Sequence, residues 1–578
     1  MQLSSTRLGS RRLFALCLTG AALLVAAGCS SSSSSADSTP AAVETSAADT
    51  TPESGGPESA AETTPASTAA AASGAPKILV DGRNLAVGNP PHIDPALNFT
   101  LEGAEINNLL YDGLTGFDWT DPKNPKLTPM AAESWTSNSD ATEFVFTVRK
   151  HNFSNGNPVL PSSFVYAWNR ASDPALAGTY SYLFFNLAGG QERVEGKAPS
   201  ISGLAADDAS MKLTVKLARP FADFPTVATH NVFFPMDETT TSKVADQTKY
   251  EQGVMVGNGP FVMAAPIETD KGVTLKKNST YWGAPAQLDE LKFVVSKDLD
   301  TAYSGYEAGQ FDTSAIPSGK WKSATGKHPF VQAPAQTIDY YVFNAEDPMV
   351  GGAKNEKLRQ AISFAIDRKT ITDAVCQGSC IPADSLVPPG IAGQTSVCTI
   401  CTYDVAKAKK LLEEWKAEGN TLSPIELSFN AGGGHEDLIN LMQAQLQEVG
   451  IEVKQAPLSS DTYFQTMAKT PAPFFRLGWA ADYPLYDNFT YDLLASDSAN
   501  NYGRFKSTEF DDLIKAARAS SDDAARAKAY QDAESLAVNS GYALPIYWGN
   551  GGFVFSDKVK NAARYPNGFA NYREMTVG

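Results

Sequence analysis

One short segment near the C-terminus combines side chains that can complement two opposite charges. The apolar stretch 474–479 contains Arg476, whose forked guanidinium can bind a carboxylate, and ends at Trp479, which can supply a flat apolar wall. Asp482 and Tyr483 follow, and Asp482 can accept hydrogen bonds from an ammonium group. The segment therefore holds complements to both ends of a peptide. Because a charge inside a buried strand needs a partner, the alternative is an Arg476–Asp482 ion pair with Trp479 in the core.

A second polar group follows another predicted strand. Asn430 and Ala431 lead into the glycines 432–434 and then His435, which begins a predicted helix close to unpaired backbone amides. An imidazole at this position can meet an anionic group. The sequence contains no Gly-x-x-x-x-Gly-Lys-Ser/Thr motif, and a lone glycine run is weak evidence for a phosphate site. A flexible turn with an exposed histidine is the alternative.

The sequence lacks the common hydrolase motifs. Neither Gly-x-Ser-x-Gly nor His-Glu-x-x-His occurs, so an extracellular hydrolase has no support. We expect a protein that is not an enzyme and that needs no cofactor or metal ion. The histidines are scattered along the chain: His92, His151, His230, His328 and His435.

Four cysteines lie close together, at Cys376, Cys380, Cys398 and Cys401. Pairs with this spacing can bind zinc, but in an exported protein such close thiols more often form local disulfides. We favour two disulfides in one loop region and leave their connectivity open.

Strand and helix patterns alternate along the chain and predict a mixed α/β fold. Alternating apolar residues predict a strand at 144–148, and helical spacing predicts a helix at 358–366. A further helix is predicted between Asp404 as N-cap and Gly419 as stop signal.

The clearest unit is a predicted βαβ motif. A strand at 425–429 precedes a helix at 438–449, Gly450 ends that helix, and a second strand begins at 451. Ligands bind such units beyond the carboxyl ends of the strands. The segment that contains His435 is predicted to lie at that edge.

The N-terminus has the layout of a bacterial lipoprotein export signal. Three arginines precede the apolar run 13–27, which is short for a membrane span, and Gly28 comes directly before Cys29. We predict a signal peptide at 1–28, lipidation (for example by palmitate) at Cys29, and an extracytoplasmic protein anchored to the cell membrane. An uncleaved anchor helix or a plain secretory signal is the alternative.

A linker and an acidic globular body follow. Residues 29–76 are almost wholly Ser, Ala, Thr, Pro, Gly and acids, so we expect a disordered tether. Loss of the signal's three arginines takes the net charge from −17 to −20. This excess of negative charge argues against nucleic acid as a partner.

The body from residue 77 onward resembles the oligopeptide-binding proteins of ABC importers, extracellular solute-binding protein family 5. The resemblance depends on short blocks that occur in the family's order. They are Ile93-Asp94-Pro95, Tyr111-Asp112-Gly113-Leu114, Phe153-Ser154-Asn155-Gly156, Gly257-Asn258-Gly259-Pro260-Phe261, Leu358-Arg359-Gln360-Ala361 and Val387-Pro388-Pro389-Gly390.

The resemblance implies roles for single residues. Asp482 matches the aspartate that holds the α-ammonium of a peptide, and Arg476 and His435 match positions that can serve its carboxyl end. The run from Ala481 to Tyr483 looks like the oligopeptide branch rather than the dipeptide branch.

The sequence also departs from the family pattern. Where some relatives place a ligand-contacting glutamate, this chain has Phe99, with Glu102 nearby. That family contact therefore does not carry over directly to this chain.

The resemblance also implies a periplasmic-binding-protein-like fold of two lobes with a hinge and an additional inserted domain. The expected boundaries are 77–112 and 235–333 for lobe I, 113–234 for the inserted domain, 334–544 for lobe II, and 545–578 for a C-terminal return to lobe I.

The function that follows is the capture of extracellular oligopeptides between the lobes and their delivery to an ABC permease, by a monomer. The alternatives are a sensor of peptides, or the same fold binding an oligosaccharide, haem or a nickel complex.

Overall fold

The computed structural model describes residues 75–85, 92–121, 125–267, 271–296, 298–317, 319–327, 329–431 and 434–578. The predicted signal peptide, Cys29 and the linker up to residue 74 lie outside the described residues. No helix in these ranges is long and apolar enough to cross a membrane.

The described chain mixes strands and helices, as the alternating patterns predict. The strands are β1 Ile78–Leu85, β2 Thr115–Asp118, β3 Lys126–Pro129, β4 Ala132–Ser137, β5 Glu143–Val148, β6 Leu204–Asp207, β7 Lys212–Lys216, β8 Phe261–Met263, β9 Val273–Lys277, β10 Glu290–Val295, β11 Thr313–Ala315, β12 Phe330–Phe343, β13 Cys380–Pro382, β14 Ile425–Ala431, β15 Val453–Ser459, β16 Phe474–Ala480, β17 Ala543–Phe555, β18 Val559–Lys560 and β19 Thr576–Val577. The helices are α1 Leu101–Leu110, α2 Pro161–Ala171, α3 Gly190–Val194, α4 Phe224–Val227, α5 Glu238–Thr241, α6 Leu299–Glu307, α7 Trp321–Ala324, α8 Glu356–Ala365, α9 Arg368–Ile371, α10 Val405–Ala417, α11 Glu436–Glu448, α12 Ser460–Lys469, α13 Asp487–Leu494, α14 Thr508–Ala519 and α15 Asp523–Asn539.

Two long strands connect two large apolar cores. The first core contains side chains from 79–293 and from the C-terminal stretch 553–575, together with Tyr483. The second core contains other side chains from 338–548. Strands β12 and β17 pair antiparallel along most of their length and run from one core to the other within an eleven-stranded sheet. Their pairing is interrupted between Pro334 and Ile338. The two cores are therefore joined at an irregular place in the sheet, where the backbone ladder is weakest.

The region predicted as an inserted domain contains a smaller sheet of its own. Strands β4, β5, β7 and β6 form it in that order, and the buried side chains of β5 belong to the first core. The domain boundaries expected from the sequence stay predictions.

Local sequence signals set several elements of the two cores. The predicted strand at 144–148 is β5, with alternating buried residues, and the predicted helix at 358–366 is α8. Asp404 caps α10 by accepting a hydrogen bond from the Lys407 amide at 2.8 Å. The predicted βαβ unit is β14–α11–β15, with parallel pairing that begins at Ile425 and Val453. These four predictions are confirmed.

The four cysteines form two local disulfides, Cys376–Cys380 and Cys398–Cys401. The favoured prediction of disulfides is confirmed, and the structure supplies the connectivity that the sequence left open. Cys380 begins β13, which pairs with β17 from Tyr547 to Gly549. The first disulfide therefore closes the turn that leads into β13, and β13 pairs with β17, one of the two connecting strands.

Replacing Asp404 by alanine is expected to destabilise the second core by about 1 kcal/mol, because the first turn of α10 loses its side-chain cap. Urea denaturation that follows the fluorescence of Trp415, which is buried in that helix, measures the change. Asp404→Ser keeps a capping oxygen and is the matched control. An equal loss in the serine variant would contradict the capping explanation.

Candidate functional site

A cavity of about 820 Å³ lies where the two cores face each other. Its lining comes mainly from the first core, in the stretches 98–120, 229–234 and 563–574. The opposite wall is formed by residues 480–484, directly after β16, and by Gln336 in the irregular part of β12. The volume is in the range that encloses small organic ligands and short peptides.

Asp482 contributes a carboxylate to this wall. Its backbone amide donates to Asn488 Oδ1 at 3.0 Å, which fixes the turn after β16. The Tyr182 hydroxyl donates to its carboxylate, and the Asn488 amide approaches the same oxygen at 3.5 Å. Tyr182 belongs to the first core's side of the cavity, so the carboxylate touches both sides. Within the described chain, Asp482 has no cationic partner.

Burial is the main electrostatic influence on Asp482. It raises the pKa of this carboxyl to about 6, although hydrogen bonds from Tyr182, Asn488 and Tyr180 act in the opposite direction. Neutral donors therefore only partly replace the water that the carboxylate has lost. A ligand cation beside the carboxylate would lower this pKa again, because it stabilises the charged form. The same attraction would hold the cation in the cavity.

Trp479 supports Asp482 indirectly, through a shared hydrogen-bond partner, Asn488. Its indole N–H donates to Asn488 Oδ1 at 3.0 Å, and the Asn488 amide donates to Asp492 at 2.7 Å. Trp479 packs against the second core and is not among the residues that line the cavity. It orients the asparagine that holds Asp482.

Tyr483 lines the cavity beside Asp482, but its hydroxyl is engaged elsewhere. It donates to Asp492 at 2.9 Å, and Asp487 lies 3.3 Å away. Burial and the neighbouring carboxylate of Asp487 raise the pKa of Asp492 to about 8. The phenol thus stabilises a buried acidic pair, and its ring forms the cavity wall.

Arg476 has a partner that the sequence reasoning missed. Its Nε donates to Asp339 Oδ2 at 2.8 Å, and its Nη1 lies 3.3 Å from Asn430 Oδ1. The predicted internal pair between Arg476 and Asp482 is therefore wrong. The protein itself compensates the charge of the guanidinium, because Asp339 neutralises it.

The sheet register explains the Arg476–Asp339 pair. Asp339 on β12 lies directly opposite Gly478 on β16, and Tyr341 lies opposite Arg476. A Cβ atom on Gly478 would lie 2.6 Å from the guanidinium, so glycine leaves the space that Arg476 uses to reach Asp339. A lone aspartate in the apolar stretch 338–343 was the signal that could have revealed this partner.

His435 lies near the same ion pair. It precedes α11, and burial together with the neighbouring Arg476 guanidinium lowers the pKa of its ring, which favours the neutral form. The structure thus brings together His435, Arg476 and Asp339, and none of the three is among the residues that line the cavity. The predicted contact of Arg476 and His435 with a peptide carboxylate stays a prediction.

The first core supplies residues of the cavity lining, and one residue bonded to Asp482, that local sequence patterns did not single out. Tyr182 is 300 positions from its partner Asp482. Trp119 and Tyr565 stack at 4.9 Å between ring centroids, although they come from opposite ends of the body. Arg573, also in the lining, is bound to Asp112 at 2.8 Å. No local motif signals pairs so distant in sequence.

A two-lobed α/β body with an enclosed cavity between its lobes defines a solute-binding protein. The family model of bacterial extracellular solute-binding proteins, family 5 (middle region), matches residues 126–501. The chain belongs to this family, and its fold is the two-lobed fold of periplasmic solute-binding proteins.

Named relatives cover nearly the whole body. The dipeptide-binding protein DppE of Bacillus subtilis is 26% identical over 517 residues, covering 87% of this chain and 92% of DppE. The oligopeptide-binding protein OppA of the same organism is 26% identical over 505 residues, covering 84% and 90%. The haem-binding protein A of Haemophilus influenzae is 26% identical over 520 residues, covering 84% and 90%.

Solved structures share the fold. The unliganded open form of the periplasmic murein tripeptide-binding protein MppA superposes with a TM-score of 0.73 at 23% identity, covering 87% of this chain and 97% of that chain. Listeria monocytogenes OppA bound to peptide superposes with a TM-score of 0.67 at 25% identity, covering 87% and 99%.

Asp482→Asn is expected to stabilise the unliganded protein above pH 6. Because the pKa of Asp482 is raised on folding, the folded state binds a proton more tightly than the unfolded state, and the free energy of unfolding falls as the pH rises from about 4 to about 6. Asparagine removes this loss, which is about 3 kcal/mol at pH 7.5 for a shift of this size. Thermal unfolding at pH 4 and pH 7.5 measures it.

The matched control for this experiment is Asp207→Asn. Asp207 is the exposed last residue of β6, where hydrogen bonds from Ser210 lower its pKa. This variant is expected to show no gain at pH 7.5. A gain for Asp482→Asn that was as large at pH 4 as at pH 7.5 would contradict the electrostatic explanation.

Proposed function

We propose that the protein captures peptides in the cavity between its lobes and hands them to an ABC permease. One observation carries the proposal: Asp482 holds a half-buried carboxylate at the cavity wall, and its described partners are neutral. A free peptide α-ammonium supplies the missing charge and three N–H donors in a single group. The names of the relatives DppE and OppA favour the same ligand class.

Binding is expected to be coupled to closure of the lobes. Tyr182, which packs against the first core, donates directly to Asp482. Two further contacts join the same two sides: Arg526 binds Asp223 at 3.0 Å, and Arg518 binds Asn186 at 3.0 Å. A ligand that completes Asp482 while Tyr182 remains bound favours the closed arrangement over an open one. The irregular pairing of β12 and β17 between Pro334 and Ile338 is the hinge in this proposal.

The proposal also includes how the protein is held at the membrane and which protein receives the peptide. In the proposal, Cys29 is lipidated after removal of the signal peptide, the linker holds the body away from the membrane, and the protein works as an extracytoplasmic monomer. The permease recognises the closed form. The expected boundaries of lobe I, the inserted domain and lobe II belong to the same proposal.

Asp482→Ala is expected to weaken the binding of free-amine peptides about a hundredfold, because a charge-assisted interaction in a closed cavity contributes roughly 2–3 kcal/mol. Calorimetry with a mixed pool of tri- to pentapeptides, free or N-acetylated, measures this loss. Acetylation should weaken binding to the wild type and change little in the variant. Binding by the wild type should also weaken below about pH 6, where the carboxyl is protonated.

Exposed Glu133 lies in the small sheet, is not among the cavity residues, and provides the control variant Glu133→Gln. It should bind like the wild type. Undiminished binding by Asp482→Ala would remove Asp482 from the site, and failure of every peptide to bind the wild type would overturn the proposed function.

Cys29→Ser is expected to move the protein from the membrane fraction to the soluble extracytoplasmic fraction, because a cysteine thiol is needed for the lipid thioether. Fractionation together with labelling by an alkyne analogue of palmitate measures the change. Replacing the neighbouring Ser30 by alanine should leave both readouts unchanged. If Cys29→Ser loses the label but remains in the membrane fraction, the result would indicate an uncleaved anchor helix instead.

A further inference from the structure

The charges that line the cavity are strongly unbalanced. Five acids line it, namely Glu105, Asp112, Asp118, Asp482 and Glu574, against two basic residues, Arg573 and His230. Arg573 is bound to Asp112, and burial lowers the pKa of His230 to about 3, so its ring is neutral at physiological pH. The cavity therefore presents a negative potential to any ligand that enters it.

Two of these acids lie on the first core's wall beside an aromatic stack. Trp119 and Tyr565 stack with an interplanar angle of 15°, and Phe117 lies 5.3 Å from Trp119 between ring centroids. Asp118 is the sequence neighbour of Trp119, and Glu574 lies 3.4 Å from the Tyr565 hydroxyl. Burial and both carboxylates raise the pKa of Tyr565, so the two acids act on the same side chain.

Both carboxylates are held in place by neutral donors through one oxygen only. Asp118 Oδ1 accepts from the Thr120 amide at 2.9 Å and from its hydroxyl at 2.5 Å. Glu574 Oε2 accepts from Asn571 Nδ2 at 3.1 Å. Lys126, which lies opposite Asp118 in the β2–β3 ladder, also attracts that carboxylate. In the part of the chain that the structure describes, the second oxygen of each acid accepts no hydrogen bond.

We infer that this wall, formed by Trp119, Tyr565, Asp118 and Glu574, is a second cation-binding subsite that takes a lysine or arginine side chain of the bound peptide. The aliphatic stem of such a side chain packs on the aromatic faces, where a cation is also attracted by the rings. Its charged end then meets the two carboxylates. Asp482 holds the ammonium on one wall of the cavity, and this subsite selects a basic residue on the other.

The inference rests on the proposed function and names the class of peptide that the cavity prefers. Peptides with acidic side chains are disfavoured, because no unpaired base lines the described cavity to receive them. Free diamines share the cationic chemistry but lack the peptide backbone, so they serve as a separate probe.

The test uses tetrapeptides with a free N-terminus that carry lysine, its uncharged analogue norleucine, or glutamate at positions two, three and four in turn. Calorimetry on the wild type should give about tenfold tighter binding for lysine than for norleucine at one position or more, and weaker binding for glutamate. The double variant Asp118→Asn, Glu574→Gln should lose this preference and bind the norleucine peptides as the wild type does. Glu133→Gln should keep the preference.

The outcomes distinguish a failure of the basic-side-chain subsite from a failure of the proposed function. Equal affinities for lysine and norleucine at every position, with binding still lost in Asp482→Ala, would overturn the subsite and leave the proposed function intact. Failure of all the peptides to bind the wild type would overturn both. Cadaverine binding as tightly as the best lysine peptide would assign the wall to free diamines and overturn its role for a peptide side chain. If the double variant does not fold, the single variants Asp118→Asn and Glu574→Gln replace it. Each should reduce the tenfold preference for lysine over norleucine in part.

Discussion

A carboxylate held between two lobes without a cation is the constraint on which the site depends. Asp482 is kept in place by Asn488 on α13 and by Tyr182, which packs against the first core, and burial raises its pKa to about 6. In the proposed function, the unliganded protein bears this cost and an ammonium group of the ligand relieves it. In the same proposal, a charge placed where the two cores meet couples ligand binding to closure of the lobes.

The neighbouring polar groups rigidify this arrangement without entering the cavity. Trp479 and Asp492 both bond to Asn488, and Tyr483 donates to Asp492. Such a connected polar network fixes one geometry, because each group is satisfied only when the others are in place. The position of Asp482 is thus determined by side chains on β16, on α13 and in the turn between them.

The Arg476–Asp339 pair illustrates how a strand can bury a charge for structural reasons. Gly478 opens the space across the sheet, and Asn430 contacts the same guanidinium from the next strand. The pair joins β12, β14 and β16 close to the connection between the cores. We expect a buried ion pair of this kind to contribute more to the register of the strands than to net stability.

The sequence by itself determined the local elements and the family. Periodicity and caps predicted β5, α8, α10 and the β14–α11–β15 unit, because these depend on neighbours within one or two turns. Only the tertiary structure decided which distant side chains meet. Arg476 pairs with Asp339, Tyr182 bonds to Asp482 from 300 positions away, and Trp119 stacks on Tyr565. These contacts depend on strand register and on the approach of the two lobes, and neither leaves a periodic signal in the chain.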